Sequence, residues 1–233
     1  MLGAISNGKK ETNRTISDRF MDSKIADLRR NYTKGGLQEE QLPENPITFF
    51  KQWFDEALKS EVMEPNAMSL ATVTTAGTPN SRMVLLKGIE EKSIQFYTNY
   101  NSDKGQELEE NPAAAVTFWW PELERQVRIW GDVSKLSDKE SSLYFQSRPR
   151  ESQLGAWASN QSSDIDSRES LKKQFAKFQE KFEGKDIPKP EQWGGYEIEI
   201  NKIEFWQGRP GRFHDRILYA KESGTWNRKR LQP

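Results

Sequence analysis

Five short runs of β-forming residues, 68–75, 80–88, 94–99, 113–120 and 125–135, crowd the middle of the chain, and stretches as brief as "TAGTP", "GIEEKS" and "PELE" separate neighbours. A parallel neighbour needs a crossover of about a dozen residues or more, so connections this short force antiparallel pairing. Three further runs follow: "YEIEINKIEFW", the segment around His214, and a last one from Trp226 to Leu231. About eight antiparallel strands with helices inserted at their loops suit a barrel better than a sandwich. The expected class is therefore mainly β (α+β), a β-barrel with peripheral helices.

The helices announce themselves by caps and periodicity. In "NPITFFKQWFDEALKSE", Asn45 caps, Pro46 takes the first helical position, and Phe49, Phe50, Trp53, Phe54, Ala57 and Leu58 form an apolar stripe. "SDKGQELEENP" predicts a short helix capped by Ser102 and stopped at Asn111-Pro112, and "SDKESSLYFQSRPR" opens with a capping box, Ser137 and Glu140, and ends before Pro149. Leu171, Phe175, Phe178 and Phe182 predict a helix over 167–183 closed by Gly184. A shorter one is expected at 21–31. Residues 1–20 are polar and aperiodic, which predicts a mobile segment ahead of one domain over 21–233.

Composition removes whole classes of chemistry. The chain has no cysteine and one histidine, so disulfides, thiolate metal sites, cysteine nucleophiles and histidine-rich metal centres are excluded. Thirty-five basic residues balance thirty-five acidic ones, so no general field draws the chain to nucleic acid or anionic lipid, and any anion site must be local. Apolar runs fall far short of a membrane span and the opening lacks an apolar signal core; a soluble, cytoplasmic protein is expected. Eight tryptophans and twelve phenylalanines supply the core volume that the aliphatics do not.

The single histidine lies in "WQGRPGRFHDR", residues 206–216. A turn followed by a strand over 212–219 would project Arg212, His214 and Arg216 from one face and turn Phe213, Ile217 and Tyr219 to the core. Two guanidiniums beside an imidazole suit a planar anion such as a phosphorylated aromatic ligand. A solvated strand edge with an incidental histidine fits the same residues. Arg82 and Lys87, five apart on an expected strand, should lie on opposite faces about 16 Å apart and meet different groups, or simply mark its two wet ends. Lys104 sits in the first turn of its helix, where the macrodipole favours an anion; a bound phosphate would resolve the conflict, and so would a lysine head in water. Tyr144 and Arg148 are four apart on one helix face with Ser152 just beyond, a plausible phosphate clamp or an ordinary exposed face. No glycine-rich phosphate loop or dinucleotide fingerprint is present.

Taken together, "RMVLLK", "FYTNYNSDKG", "ERQVRIWG", "YFQSRPRESQLGAWAS", "WGGYEIEI", "EFWQGRPGRFHDR" and the closing "RLQP" resemble the pyridoxine/pyridoxamine 5′-phosphate oxidase family in order and spacing over about residues 25–233. The resemblance implies a split β-barrel that forms a homodimer, with flavin mononucleotide (FMN) at the subunit interface. It also implies oxidation of pyridoxine or pyridoxamine phosphate to pyridoxal phosphate by oxygen. The flavin contacts it implies are Arg82, Met83, Val84, Leu85, Tyr97, Thr98, Lys104, Gln126, Gln161, Ser162, Trp206 and Arg216. The implied substrate contacts are Lys87, Tyr144, Arg148, Ser152, Arg212 and His214, the last two also implied as the catalytic residues, holding the ring against the flavin. Arg29 and Tyr32, in "LRRNYTKGGL", match a segment that closes over substrate. Two positions depart from the family pattern: Asp103 stands where arginine is common, and Phe213 where leucine is usual. A split-barrel oxidase acting on another ring, a non-catalytic carrier of flavin or pyridoxal phosphate, and an aromatic-rich RNA binder are the other readings. The complete phosphate clamp weighs against the first and the neutral net charge against the last.

Overall fold

The computed structural model describes Leu28 and residues 31–233. The expected mobile segment, Arg29 and nearly all of the expected helix at 21–31 lie outside the described residues. Among the described residues nine strands pair antiparallel in one curled sheet: β1 (Ala67–Val73), β2 (Pro79–Leu85), β3 (Gly88–Ile89), β4 (Ser93–Asn99), β5 (Ala113–Trp120), β6 (Arg125–Lys135), β7 (Trp193–Gln207), β8 (Asp215–Glu222) and β9 (Thr225–Leu231). The order is β2-β1-β5-β6-β7-β4-β3, with β8 also on β7 and β9 on β8.

The long strand β7 is where the barrel splits. One of its edges pairs with β6 through residues 196–207, while the other pairs with β4 through residues 193–199 and then with β8 through residues 202–207. A bulge lies at the changeover. Trp130 faces Lys202 and Gly131 faces Ile200, leaving Asn201 as the extra residue. Gly131 is needed there, because a Cβ would stand 1.9 Å from the Glu199 carbonyl oxygen.

Period-two burial fills the interior. On β5, Ala114, Val116, Phe118 and Trp120 point inward. Helix α1 (Pro46–Lys59) plugs the barrel as its stripe predicts: the Asn45 side chain accepts from the Ile47 N–H at 2.8 Å, and Phe49, Phe50, Trp53 and Ala57 are buried, with Leu58 alone left exposed. Each such aromatic burial is worth about 1.5–3 kcal/mol, which fixes α1 firmly in place. Helices α2 (Asp103–Glu110), α3 (Asp138–Ser147), α4 (Arg150–Ala158) and α5 (Arg168–Lys181) lie at the periphery. The Ser137/Glu140 capping box forms as expected. Ser102 takes the cap position of α2 but donates its hydroxyl to the Asn99 carbonyl instead of accepting from the helix. Helix α4, started by Pro149, was not expected from the sequence. Phe145, Leu154, Phe182, Ile187 and Trp193 form a second small core beneath α3, α4 and α5.

Two expected strands end or begin elsewhere. The run 80–88 stops at Leu85, and the strand expected from 212 begins at Asp215. Residues Pro210–Arg212 instead make a 3-10 turn with Gly211 and Arg212 at φ of +64° and +65°. Phe213 is consequently 79% exposed and not core-facing, while Ile217 and Tyr219 are fully buried as expected. No helix among the described residues is long and apolar enough to cross a membrane.

Candidate active site: two clefts on one chain

A cleft of about 750 Å³ opens where β2 comes back against β4 without joining it. Into it face Arg82, Met83, Val84 and Leu85 of β2, Tyr97 and Thr98 of β4, Lys104 of α2, and Gln161 and Ser162 from the loop after α4. Lys87, Tyr144, Arg148 and Ser152 line the same cleft. Arg82 and Lys87 therefore meet in one cavity, contrary to strict alternation, because β2 ends between them. Tyr144 and Arg148 likewise share it, although α3 stops at Ser147 and Arg148 has extended backbone. The Pro149 break turns the chain so that Ser152, on α4, faces the same space.

Of the cations here, Lys104, Arg82 and Arg148 are at least half-buried, while Lys87 is exposed. Lys104 is buried, and its ammonium donates to the Thr98 and Ser102 hydroxyls and the Gln161 carbonyl at 3.3, 3.1 and 3.2 Å. Burial first, and Arg82 second, draw its pKa below the ordinary lysine value. The Ser102 side chain does not cap α2, and the Asp103 N–H donates instead to the hydroxyl of Ser162, a cleft-lining residue, at 3.3 Å. Arg148 lies 4.6 Å above the Trp193 ring, and its Nη1 is shielded from solvent with no hydrogen-bond partner. An orphaned guanidinium nitrogen calls for an anion. Tyr97 and Tyr144 stack at 3.9 Å between centroids, with Trp193 parallel to both, giving one wall of the cleft flat aromatic faces.

A second cleft, of about 590 Å³, is lined by Tyr32, Arg209, Arg212 and His214. The His214 Nδ1 accepts from the Arg209 N–H at 3.1 Å, so the neutral ring carries its proton on Nε2. Burial first, and then Arg212, lower its pKa. Arg216, expected beside them, is turned away. Its Nε donates to the buried Glu204 carboxylate at 2.8 Å, so the proposed trio reduces to Arg212 and His214. Tyr32 stands edge-on to both His214 and Trp206 at 5.5 Å. Gly208 permits that approach, since a Cβ would fall 2.7 Å from the tyrosine ring. The Glu124 carboxylate clasps the same segment by accepting from the Thr33 and Lys34 N–H groups at 2.9 and 3.0 Å.

Gln126, Trp206 and Arg216 line neither of these two clefts. They are direct register partners across β6, β7 and β8, so they form one row on a common sheet face, extended by Trp119 on β5. Sequence reading missed Trp119, Glu107, Glu204 and Glu124. For Glu107 the available signal was its place one turn after Lys104; for Glu204, a charge within a run of apolar strand residues.

Comparison with known proteins agrees along nearly the whole chain. The family model described as pyridoxamine 5′-phosphate oxidase matches residues 54–182, and that of the pyridoxine 5′-phosphate oxidase C-terminal dimerisation region matches residues 193–233. The pyridoxine/pyridoxamine 5′-phosphate oxidase of Nostoc punctiforme is 55% identical over 214 residues, 91% of this chain and 100% of that protein. Its counterpart in Rubrobacter xylanophilus is 52% identical over 90% of this chain and 96% of its own. Among solved structures, PhzG from Burkholderia lata in complex with tetrahydrophenazine-1-carboxylic acid superposes with a TM-score of 0.83 at 30% identity, over 88% of this chain and 100% of that one. A pyridoxamine 5′-phosphate oxidase-related, FMN-binding protein of Nostoc punctiforme, at 18% identity and a TM-score of 0.64 over 79% of this chain and 97% of its own, shares the fold. With both of its parts matched and relatives above half identity over nine-tenths of its length, the chain belongs to the pyridoxine/pyridoxamine 5′-phosphate oxidase family.

Proposed function

We propose that this chain binds FMN and oxidises pyridoxine or pyridoxamine 5′-phosphate to pyridoxal 5′-phosphate, using the side chains of both clefts. The observation that carries the reading is a cavity with two cationic groups on different elements, Lys104 with Arg82 and Arg148 with Lys87, the second holding an orphaned buried donor. Two groups suit two phosphates, one on the cofactor and one on the substrate.

The donors fit the cofactor. Lys104, Arg82, the start of α2 and the Ser162 and Gln161 side chains would hold its phosphate, and the β2 segment Met83–Leu85 would run along its ring system. When bound, FMN would supply a two-electron acceptor that oxygen can reoxidise with formation of hydrogen peroxide, chemistry for which this cysteine-free chain has no redox side chain. Arg148, Lys87, Tyr144 and Ser152 would grip the substrate phosphate. Arg212 and the Nε2–H of His214 are donors, and they would fix the pyridine ring through its acceptors. Because Nδ1 is already engaged, His214 orients substrate and does not act as a base.

Arg212 and His214 do not line the first cleft, and both fall in the part matched by the dimerisation region. In our reading a second copy brings its Arg212 and His214 to the first cleft, and the active site forms between subunits. The decisive experiment loads the protein with FMN, adds either substrate, and follows oxygen uptake and pyridoxal phosphate together. Equal amounts of each are expected. Flavin binding without turnover would make the chain a carrier, and failure to bind FMN would remove the reading altogether.

A further inference from the structure

We propose that Glu107, which does not face the first cleft, is the positioning residue that sets the cations at the cofactor-phosphate end of that cleft. Its side chain is 8% exposed and points from α2 into the β1–β2 edge. One oxygen, Oε2, accepts from the Arg82 Nη2 at 3.0 Å and from the Thr72 hydroxyl; the other, Oε1, accepts from the Asn80 amide. The Thr72 oxygen in turn accepts from the Arg82 Nη1. A single carboxylate thus satisfies donors from two strands and holds both terminal nitrogens of Arg82, one directly and one through Thr72. Glu107 is also one turn beyond Lys104 on the same helix, so the same contacts tie down the helix that presents the buried ammonium.

Charge and position make opposite demands on this residue, which lets them be told apart. Were Glu107 only a negative charge near an anion site, removing it would leave the cleft more positive and tighten phosphate binding. As a positioning residue, its loss leaves the buried Thr72 hydroxyl and the half-buried Asn80 and Arg82 donors without their acceptor, frees Arg82 to leave its post, and loosens phosphate binding. Glu107 does not line the cleft and its charge is already paired with Arg82, so the hydrogen bonds that hold Arg82 and Thr72 outweigh its residual field at the phosphate, and the second effect dominates.

The inference rests on the first cleft being the FMN site, and the test separates the two. Apo-protein of the parent, Glu107→Met and Glu107→Gln is titrated with FMN and with riboflavin, which lacks the phosphate. Glu107→Met is expected to bind FMN roughly ten- to a hundredfold more weakly with unchanged riboflavin affinity. Glu107→Gln should recover most of the loss, since its amide oxygen can accept from Thr72 and Arg82 while a turned-over Asn80 accepts from its Nε2–H. FMN affinity equal to or above the parent's in Glu107→Met overturns the proposal, as does a parallel loss of FMN and riboflavin. Should Glu107→Met fail to fold, Thr72→Val removes the bridging hydroxyl at similar volume; an unchanged FMN-to-riboflavin ratio there overturns the proposal equally. A parent that takes up neither flavin refutes the cofactor reading, and this inference with it.

Discussion

His214 shows how a single hydrogen bond assigns a role. The Arg209 N–H occupies Nδ1, leaving a neutral imidazole with a donor at Nε2. Burial is the larger cause of its lowered pKa and the Arg212 charge the smaller, so both favour the neutral ring. As the only histidine in the chain, it gives one unambiguous ring signal in 15N NMR. That signal is expected to titrate below the ordinary 6.5, with Nε2 protonated above the midpoint. Arg212→Met should raise the midpoint without bringing it to 6.5, because burial remains. The unfolded chain takes up this proton more readily, so the stability linked to His214 is complete above 6.5 and is lost as pH falls through the folded value. A midpoint above 6.5 would mean that a carboxylate faces the ring and that the geometry is otherwise.

At the scale of an element, the start of α2 holds two opposing charges. Asp103 in the first turn complements the helix dipole by about 0.3–1 kcal/mol, yet it also lines the cleft beside Lys104, where a carboxylate opposes a bound phosphate. It is exposed, so the opposition is screened and worth only about 0.2–1 kcal/mol. Asp103→Arg is therefore expected to tighten FMN binding by no more than about tenfold at low salt, with the gain shrinking as salt rises. Helix stability should fall slightly at the same time. Fluorescence titration at two salt concentrations, paired with thermal melting, reads both effects. Unchanged affinity at low salt would show that the carboxylate points away from the phosphate and serves the helix alone.

For the whole molecule, the proposed division of site residues between two clefts calls for a second copy of the chain. Met83, Leu85, Trp119 and Phe213 leave large apolar surfaces exposed on this chain, at 64%, 38%, 46% and 79%. The first two edge the first cleft and Trp119 extends the row of Gln126, Trp206 and Arg216, so covering them would close the site with residues of a second copy. Flavin retention should then follow dimerisation by mass action. Sedimentation and flavin fluorescence measured across a dilution series are expected to share one midpoint. A monomer that keeps its flavin and full activity would place a complete site on one chain.

What the sequence determined by itself is local. Strands 113–120 and 125–135, the Asn45-capped helix and the Ser137/Glu140 capping box stand where periodicity and cap chemistry put them, because each is encoded within a few consecutive residues. The family motifs carried most of the first cleft as well, for the matching stretches "RMVLLK" and "YFQSRPRESQ" travel with the turns that aim them. Only the tertiary structure decided the convergence of Arg82 with Lys87, the exposure of Phe213, the pairing of Arg216 with Glu204, and the Glu107 hub. Each depends on where a strand stops or which residue stands opposite in register. Those are settled by packing between segments far apart in the chain, at bulges and turns such as Asn201 and Gly211, and no local pattern encodes them.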